Sequence, residues 1–336
     1  MKHIFAVLVL MWCCSFNFLQ AQSPAPTLDS TAVKELKVIE DTLSLFAYAI
    51  LNAKEADQRF LAVRAFIPML TKALKIAHSF DYSFERLHNI SIQYPQDSTF
   101  RIFSWQLYVD SSDYRYYGAI QMNTPTLKLI PLADRSFQVE KNADSLLLSN
   151  DNWYGAVYYN IRDFDTPEGK KYLLFGYDNY QNFERFEEQG DRNREFAFSH
   201  NDYEHLSKRK IIDVLSFDKG KVLFGAPVFV HMDGNNKTSV VKNRVVLEFS
   251  ADAVVSCNYD EFEQMIIFDH LMPMSEVIPG EKPVYMPDGT YEGYRLNNGQ
   301  WVHLQNVFNT TVNEAPREQP VLDQRTKDLF GKSPKQ

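Results

Sequence analysis

Three short segments of this chain gather side chains that can move protons or hold a ligand. The densest is Ser199-His200-Asn201-Asp202-Tyr203-Glu204-His205, with two imidazoles and two carboxylates. Such groups can bind a divalent cation or act as general acid and base. Their spacing departs from the His-Glu-x-x-His of zinc proteases. His200 and His205 stand five apart, about 140° around a helix and on opposite faces of a strand. A solvated polar loop accounts for the same composition.

The second segment is Asp269-His270, at the end of the apolar run Met265–Phe268. A carboxylate beside a histidine at a strand end is a place for acid–base chemistry. Neighbours on a strand point to opposite faces, so these two cannot simply pair with each other. His231-Met232-Asp233 raises the same possibility. Asp269, His270, His200 and His205 are the candidate catalytic groups, weighed against a structural Asp turn and satisfied histidines. No spacing marks a metal centre, so no metal ligand is assigned and the cofactor is unknown. The Gly-x-Ser-x-Gly nucleophile elbow and the phosphate-cradling glycine loop are both absent.

Aromatic side chains offer a different chemistry. Tyr116, Tyr117, Trp153, Tyr154 and Tyr158 crowd two strand-like regions. Exposed rings on a sheet could stack on sugars or grip a protein partner. Packing beneath a helical layer explains the same residues. Cys257 is the one cysteine beyond the first twenty residues, so an internal disulfide there is excluded. A buried thiol that packs as a small hydrophobe is the plainer role for it.

The elements that must position these groups are legible from periodicity. Leu36, Ile39, Leu43, Phe46 and Ile50 recur at helical spacing, as do Phe60, Val63, Ile67, Leu70, Leu74 and Ala77. The polar break Asn52-Ala53-Lys54 joins them into an antiparallel helical hairpin that begins at Ser30 or Thr31, where a hydroxyl can cap. Pro68 predicts a kink or a new segment in the second helix. From Asn89 the period becomes two. Strands are predicted at 103–109, 114–122, 126–132, 153–161, 171–177, 210–217, 222–230, 243–249, 254–259, 265–269 and 291–304. Asp218-Lys219-Gly220, Asp288-Gly289 and Asn298-Gly299 are among the turns between them. The fold class is α+β: a helical hairpin over residues 30–88, packed on a large, mostly antiparallel β structure over 89–312 that is a sandwich, barrel or bent sheet. Residues 22–29 form a flexible lead-in, 179–204 a long excursion and 313–336 a polar tail.

The first residues suggest export. Lys2 and His3 precede the uncharged apolar run Ile4–Cys14, and Ala21 offers a small residue for cleavage before Gln22. Eleven apolar residues fit a signal-peptide core and fall short of the ~20 a membrane-spanning helix needs. Trp12 before Cys13 argues against lipid attachment, which wants a small residue there. No later apolar run is long enough to span a membrane, so a soluble protein is expected. Removal of residues 1–21 leaves 34 basic and 43 acidic side chains, a formal charge of −9. Nucleic acid and anionic membrane surfaces need a basic field and are poor partners for such a chain.

Five segments taken in order carry a resemblance: Phe100–Trp105, Trp153–Tyr159, Tyr172–Asp178, Ile266–Leu271 and Pro287–Gly293. The set resembles a family of uncharacterised secreted proteins of the Bacteroidota. The resemblance implies a Gram-negative envelope and, because residues 327–336 do not look like a surface-sorting domain, the periplasm. It implies no activity. Two functions follow as expectations. One is a non-catalytic envelope protein that binds a protein partner or a glycan through its aromatic strands. The other is a metal-dependent or acid–base hydrolase using Asp269, His270 and the His200–His205 segment.

Overall fold

Alternating three- and four-residue steps of apolar side chains build the two helices. The structure, a computed structural model, describes residues 28–110, 113–179, 207–232, 239–273 and 283–308. Helix α1 (Ser30–Asn52) buries Leu36, Ile39, Leu43 and Ile50. Its N-cap is Asp29, and no side chain caps the first turn, so the expected hydroxyl cap is not formed. Helix α2 (Ala56–Leu74) runs through Pro68 as one element. Its buried face is Ala62, Val63, Phe66, Leu70, Ala73 and Leu74. Ile67, expected inward, is exposed, because Phe66 takes the inner position and meets Trp105 edge-on at 5.3 Å.

The chain divides into two compact units. The first comprises the described residues through Gln138 together with Asn150–Ile161. In it the hairpin covers a four-stranded antiparallel sheet of β1 (Ser91–Gln93), β2 (Phe100–Asp110), β3 (Asp113–Met122) and β4 (Leu129–Leu132), in that order. The hairpin and these strands share one core, in which Leu43, Phe66 and Leu70 meet Phe84, Phe103 and Leu107. The boundary expected at 88/89 therefore falls inside this unit, since the apolar stripe of the helices needs the sheet to cover it.

Two arginines lock the layers together. Arg59 donates to the carbonyls of Ala53 and Lys54 at the end of α1 and to those of Tyr108 and Val109 in β2. It thus satisfies helix-end acceptors that would otherwise need water. Arg101 is fully buried; it donates to Gln121, to Tyr94 and to the carbonyls of Ser79 and Tyr82, among the rings of Phe80, Phe84 and Phe103. Burial lowers its pKa from the ordinary arginine value.

The second unit comprises Val139–Ser149 and the described residues from Arg162. One sheet has the order β5 (Leu148–Ser149), β9 (Lys221–Phe224), β8 (Ser207–Asp218), β7 (Gly169–Asp178), β6 (Val157–Thr166), and β12 (Val245–Ser250) pairs with β8. The other has the order β11 (Ser239–Lys242), β10 (Phe229–Met232), β16 (Gln300–Leu304), β15 (Tyr285–Asn297), β14 (Met265–Pro273), β13 (Cys257–Asp260). All pairings in this second sheet are antiparallel except β10 with β16. The architecture is thus α+β, a helical pair with large, mostly antiparallel sheets. Among the described residues no helix is long and apolar enough to cross a membrane.

Local chemistry explains the strand connections. Lys219-Gly220 and Asn298-Gly299 all take positive φ, the geometry of a two-residue hairpin turn. The expected strand 222–230 is two strands, broken at Gly225-Ala226-Pro227, where Pro227 has no N–H for a ladder. Arg244 sits against this break, fully buried. It donates to the carbonyls of Ala143 and Leu146, and its Nε lies 3.1 Å from Asp213 Oδ1, an ion pair lacking hydrogen-bond alignment. Asp288-Gly289, expected as a turn between strands, lies within β15 instead. Gly289 has φ +86° there, opposite an irregularity in β14 between Asp269 and Leu271. The expected excursion over 179–204 and the tail over 313–336 lie outside the described residues, apart from Asn179.

Candidate functional site

Period two places the side chains of this site. Phe229-Val230-His231, Phe268-Asp269-His270 and Trp301-Val302-His303 each put a histidine two residues after an aromatic, on the same face of its strand. Strands β10, β14 and β16 run in one direction and β15 runs against them. The order on β15 is accordingly reversed: Glu292 precedes Tyr294. The registers Phe229↔Trp301, Tyr294↔His303 and Phe268↔Glu292 bring all these residues to one face.

That face is graded from dry to wet. Phe229, Trp301, Phe268 and Tyr294 are buried, and Tyr294 contacts Phe229, Phe268 and His303. Trp301 meets Phe164 of β6 edge-on at 5.5 Å, so this is the inward side of the sheet. Beyond the aromatics the histidines and carboxylates lead from the buried His303 toward the surface. Side-chain exposure rises from 2% at His303 through 20% at Glu292 to 34% at His270.

Glu292 is the centre of the cluster. Its Oε2 lies 3.1 Å from His303 Nε2 and its Oε1 3.7 Å from His270 Nε2. The ring of His231 packs against that of His303, tilted by 31° with centroids 4.1 Å apart. His270 Nδ1 is 2.9 Å from Asp288 Oδ2, and Asp288 Oδ1 accepts from the backbone and hydroxyl of Thr290. The positive φ at Gly289 is what bends β15 to present Asp288 here. Burial works to raise the Glu292 pKa, but the hydrogen bond from His303 and the field of three imidazoles outweigh it, and the net shift is downward. The Thr290 donors, with His270 behind them, hold Asp288 at about 2. Burial and the nearby Glu292 push the Tyr294 phenol up, so it stays protonated.

The arrangement can carry protons. It contains two carboxylate–imidazole hydrogen bonds, Asp288 with His270 and Glu292 with His303, and the carboxylate of each fixes the orientation of the ring it faces. Among the described residues no group of three or more histidine, cysteine, aspartate or glutamate side chains could hold a metal ion.

Of the expected catalytic residues, His270 belongs to this cluster and Asp269 does not. Asp269 turns away, accepts from the Ser256 backbone N–H at 2.6 Å and ties β14 to the segment before β13. It is the structural aspartate that strand alternation allows. His200 and His205 lie outside the described residues, as does Asp233. His231 joins the cluster. His303, Glu292 and Asp288 were missed as functional groups. His303 shares an aromatic-x-His pattern that occurs five times in the sequence, and no local pattern marks Glu292.

The five aromatics offered as a binding surface are packing groups. Tyr116, Trp153, Tyr154 and Tyr158 are buried, and Tyr117 is half-buried, stacked on Trp105 at 5.7 Å. Trp153 Nε1 donates to the Tyr158 hydroxyl at 2.8 Å. These side chains supply a core within the first unit rather than an outward face. Exposed aromatics lie elsewhere, at Tyr48, Phe137 and Phe262 for example. Cys257 is buried and not in a disulfide.

A comparison with models of known protein families finds none that matches this chain, and a comparison with curated proteins finds no match either.

Proposed function

We propose that this protein is an exported hydrolase that activates water at the cluster of His231, His270, Asp288, Glu292 and His303. The observation that carries the proposal is Glu292, which faces one imidazole on each side, one buried and one open to solvent. Imidazoles exchange protons near neutral pH, and a fixed carboxylate orients each ring for that work. The acid–base alternative drawn from Asp269 and His270 thereby keeps His270 and exchanges Asp269 for Asp288 and Glu292. Binding through the five aromatics loses its support because four of the rings are buried and Tyr117 is half-buried against Trp105. Export rests on the apolar run Ile4–Cys14 and the small residue Ala21, and a periplasmic address on the resemblance to secreted proteins of the Bacteroidota.

The test is turnover of a panel of chromogenic esters, phosphate esters and glycosides by the wild-type protein, His270→Gln and Glu292→Gln. General acid–base groups typically contribute about 10²–10⁴-fold, so both variants are expected to lose at least about 100-fold in kcat/KM. Absence of turnover across the panel, or turnover that Glu292→Gln leaves intact, overturns the proposal.

A further inference from the structure

Resting on the reading that this cluster is the working site of a hydrolase, we propose that its substrate is an uncharged carboxylic ester whose apolar chain lies against Met272. Charge makes the first part of the choice. Asp288 and Glu292 both face imidazoles. On strands β10, β11, β14, β15 and β16 the only lysine and arginine are Lys242 and Arg295. Lys242 Nζ is 3.2 Å from Asp144, and Arg295 donates to the sulfur of Met265 at 3.6 Å. Arg295 also stands three residues from Glu292, on the other face of its strand. A phosphate ester would bring negative charge to two carboxylates with no cation on these strands to receive it, and phosphoryl transfer depends on such a cation.

Geometry then sets sugars aside. Glycoside cleavage uses two carboxyl groups flanking the bond, one of them kept protonated. Here the ring of His270 occupies the place between the carboxylates, with Nδ1 2.9 Å from Asp288 and Nε2 3.7 Å from Glu292. Both carboxyl groups are held below their ordinary pKa values, so neither is a general acid at neutral pH. Attack of water on an acyl carbon remains. Asp288 draws the ring proton of His270 to Nδ1 and leaves the Nε2 lone pair toward Glu292. A separation of 3.7 Å is too long for a hydrogen bond, and a water beside that gap can bond to both atoms. His270 Nε2 takes a proton from this water, its oxygen adds to the carbonyl carbon, and the bond from that carbon to the alcohol oxygen breaks. The imidazolium returns the proton to the departing alkoxide, so the products are acid and alcohol and the ring is neutral again.

Met272 gives the apolar chain its place. It stands two residues beyond His270 on β14 and shares its face by alternation. Leu271 between them turns to the other side, against the cluster of Phe249, Ala253 and Val255, as Asp269 turns to Ser256. Two residues along a strand span about 7 Å, within reach of a short acyl chain whose carbonyl lies at His270. Met272 is 48% exposed and the His270 side chain 34%, so a substrate arriving from solvent can meet both. The unbranched thioether adapts to apolar groups of different shape. His303 and Tyr294, by contrast, are buried and form the floor.

The experiment compares kcat/KM of the full chain for p-nitrophenyl acetate, butyrate and hexanoate with that for p-nitrophenyl phosphate and p-nitrophenyl β-glucoside. The esters are expected to turn over and the phosphate and glucoside are not. Hexanoate should exceed acetate by at least about 10-fold, the worth of a methylene in an apolar contact. Met272→Ser should raise KM for hexanoate about 10-fold and remove most of its advantage over acetate. His270→Gln should lose at least about 100-fold on every ester. Circular dichroism checks that each variant is folded, and the exposure of Met272 makes its replacement the milder one. Turnover of the phosphate or glucoside in place of the esters, lost in Glu292→Gln, overturns the ester and spares the hydrolase. Ester turnover that ignores chain length, or that Met272→Ser leaves unchanged, also overturns the inference. Absence of turnover on every substrate overturns the hydrolase itself.

Discussion

Asp288 shows how a single carboxylate is set by its neighbours. The backbone N–H and hydroxyl of Thr290 meet one oxygen and His270 the other, and the group is held at about 2. An unfolded aspartate titrates near 3.9. The folded value is the lower one, so Asp288 favours the folded state above about pH 4, and that contribution disappears as pH falls toward 2. The difference in unfolding free energy between wild type and Asp288→Asn is therefore expected to shrink between pH 4 and pH 2. Urea titrations at stepped pH measure it. A difference that fails to shrink between pH 4 and pH 2 would contradict the assignment.

At the scale of elements, the cluster depends on how closely β15 lies to β14. Gly293, next to Glu292, makes that approach possible. A Cβ there would stand 2.4 Å from the Ile266 carbonyl oxygen and 2.5 Å from Met265 Cε. Backbone cannot yield as a flexible side chain can, so β15 would have to move away and take Glu292 with it. Gly293→Ala is expected to cost about 1–3 kcal/mol, the usual penalty for overpacking, and to depress any activity of the cluster. Thermal melts paired with the hydrolysis assay check both. Gly169 and Gly220 have open space where a Cβ would stand and do not share this constraint.

Across the whole molecule, long-range polar ties join segments far apart in sequence. Arg101 ties β2 to the carbonyls of Ser79 and Tyr82 in the first unit. In the second, Arg244 reaches back to Ala143 and Leu146 and faces Asp213, with both side chains shut off from water. Removing one partner of such a buried pair strands the other charge. Asp213→Asn is therefore expected to destabilise the protein by about 3–5 kcal/mol, read from the shift in urea midpoint at constant m-value. A neutral outcome would mean that the carbonyls, and not Asp213, hold the guanidinium.

The helices and most strands were legible because each is written in local periodicity. Leu36, Ile39, Leu43 and Ile50 mark their own inner face, and Lys219-Gly220 and Asn298-Gly299 mark their own turns. Where a local rule had two solutions, packing chose: Phe66 over Ile67 in α2, and a bent strand over a turn at Asp288-Gly289. Two of the five site residues could be read in the same way, since His231 and His270 each stand beside an aspartate or one residue from it in a short local motif. Glu292 could not, because its meaning comes from strand order. It meets His303 on one side and His270 on the other only because β15 lies between β16 and β14. Residue order and composition were enough to set the elements, the acidic charge and the supply of histidines, all of which depend on neighbours in the chain. Packing was needed to make the aromatic strands core and to bring five polar residues from four strands together, because pairing and burial are set by residues distant in sequence.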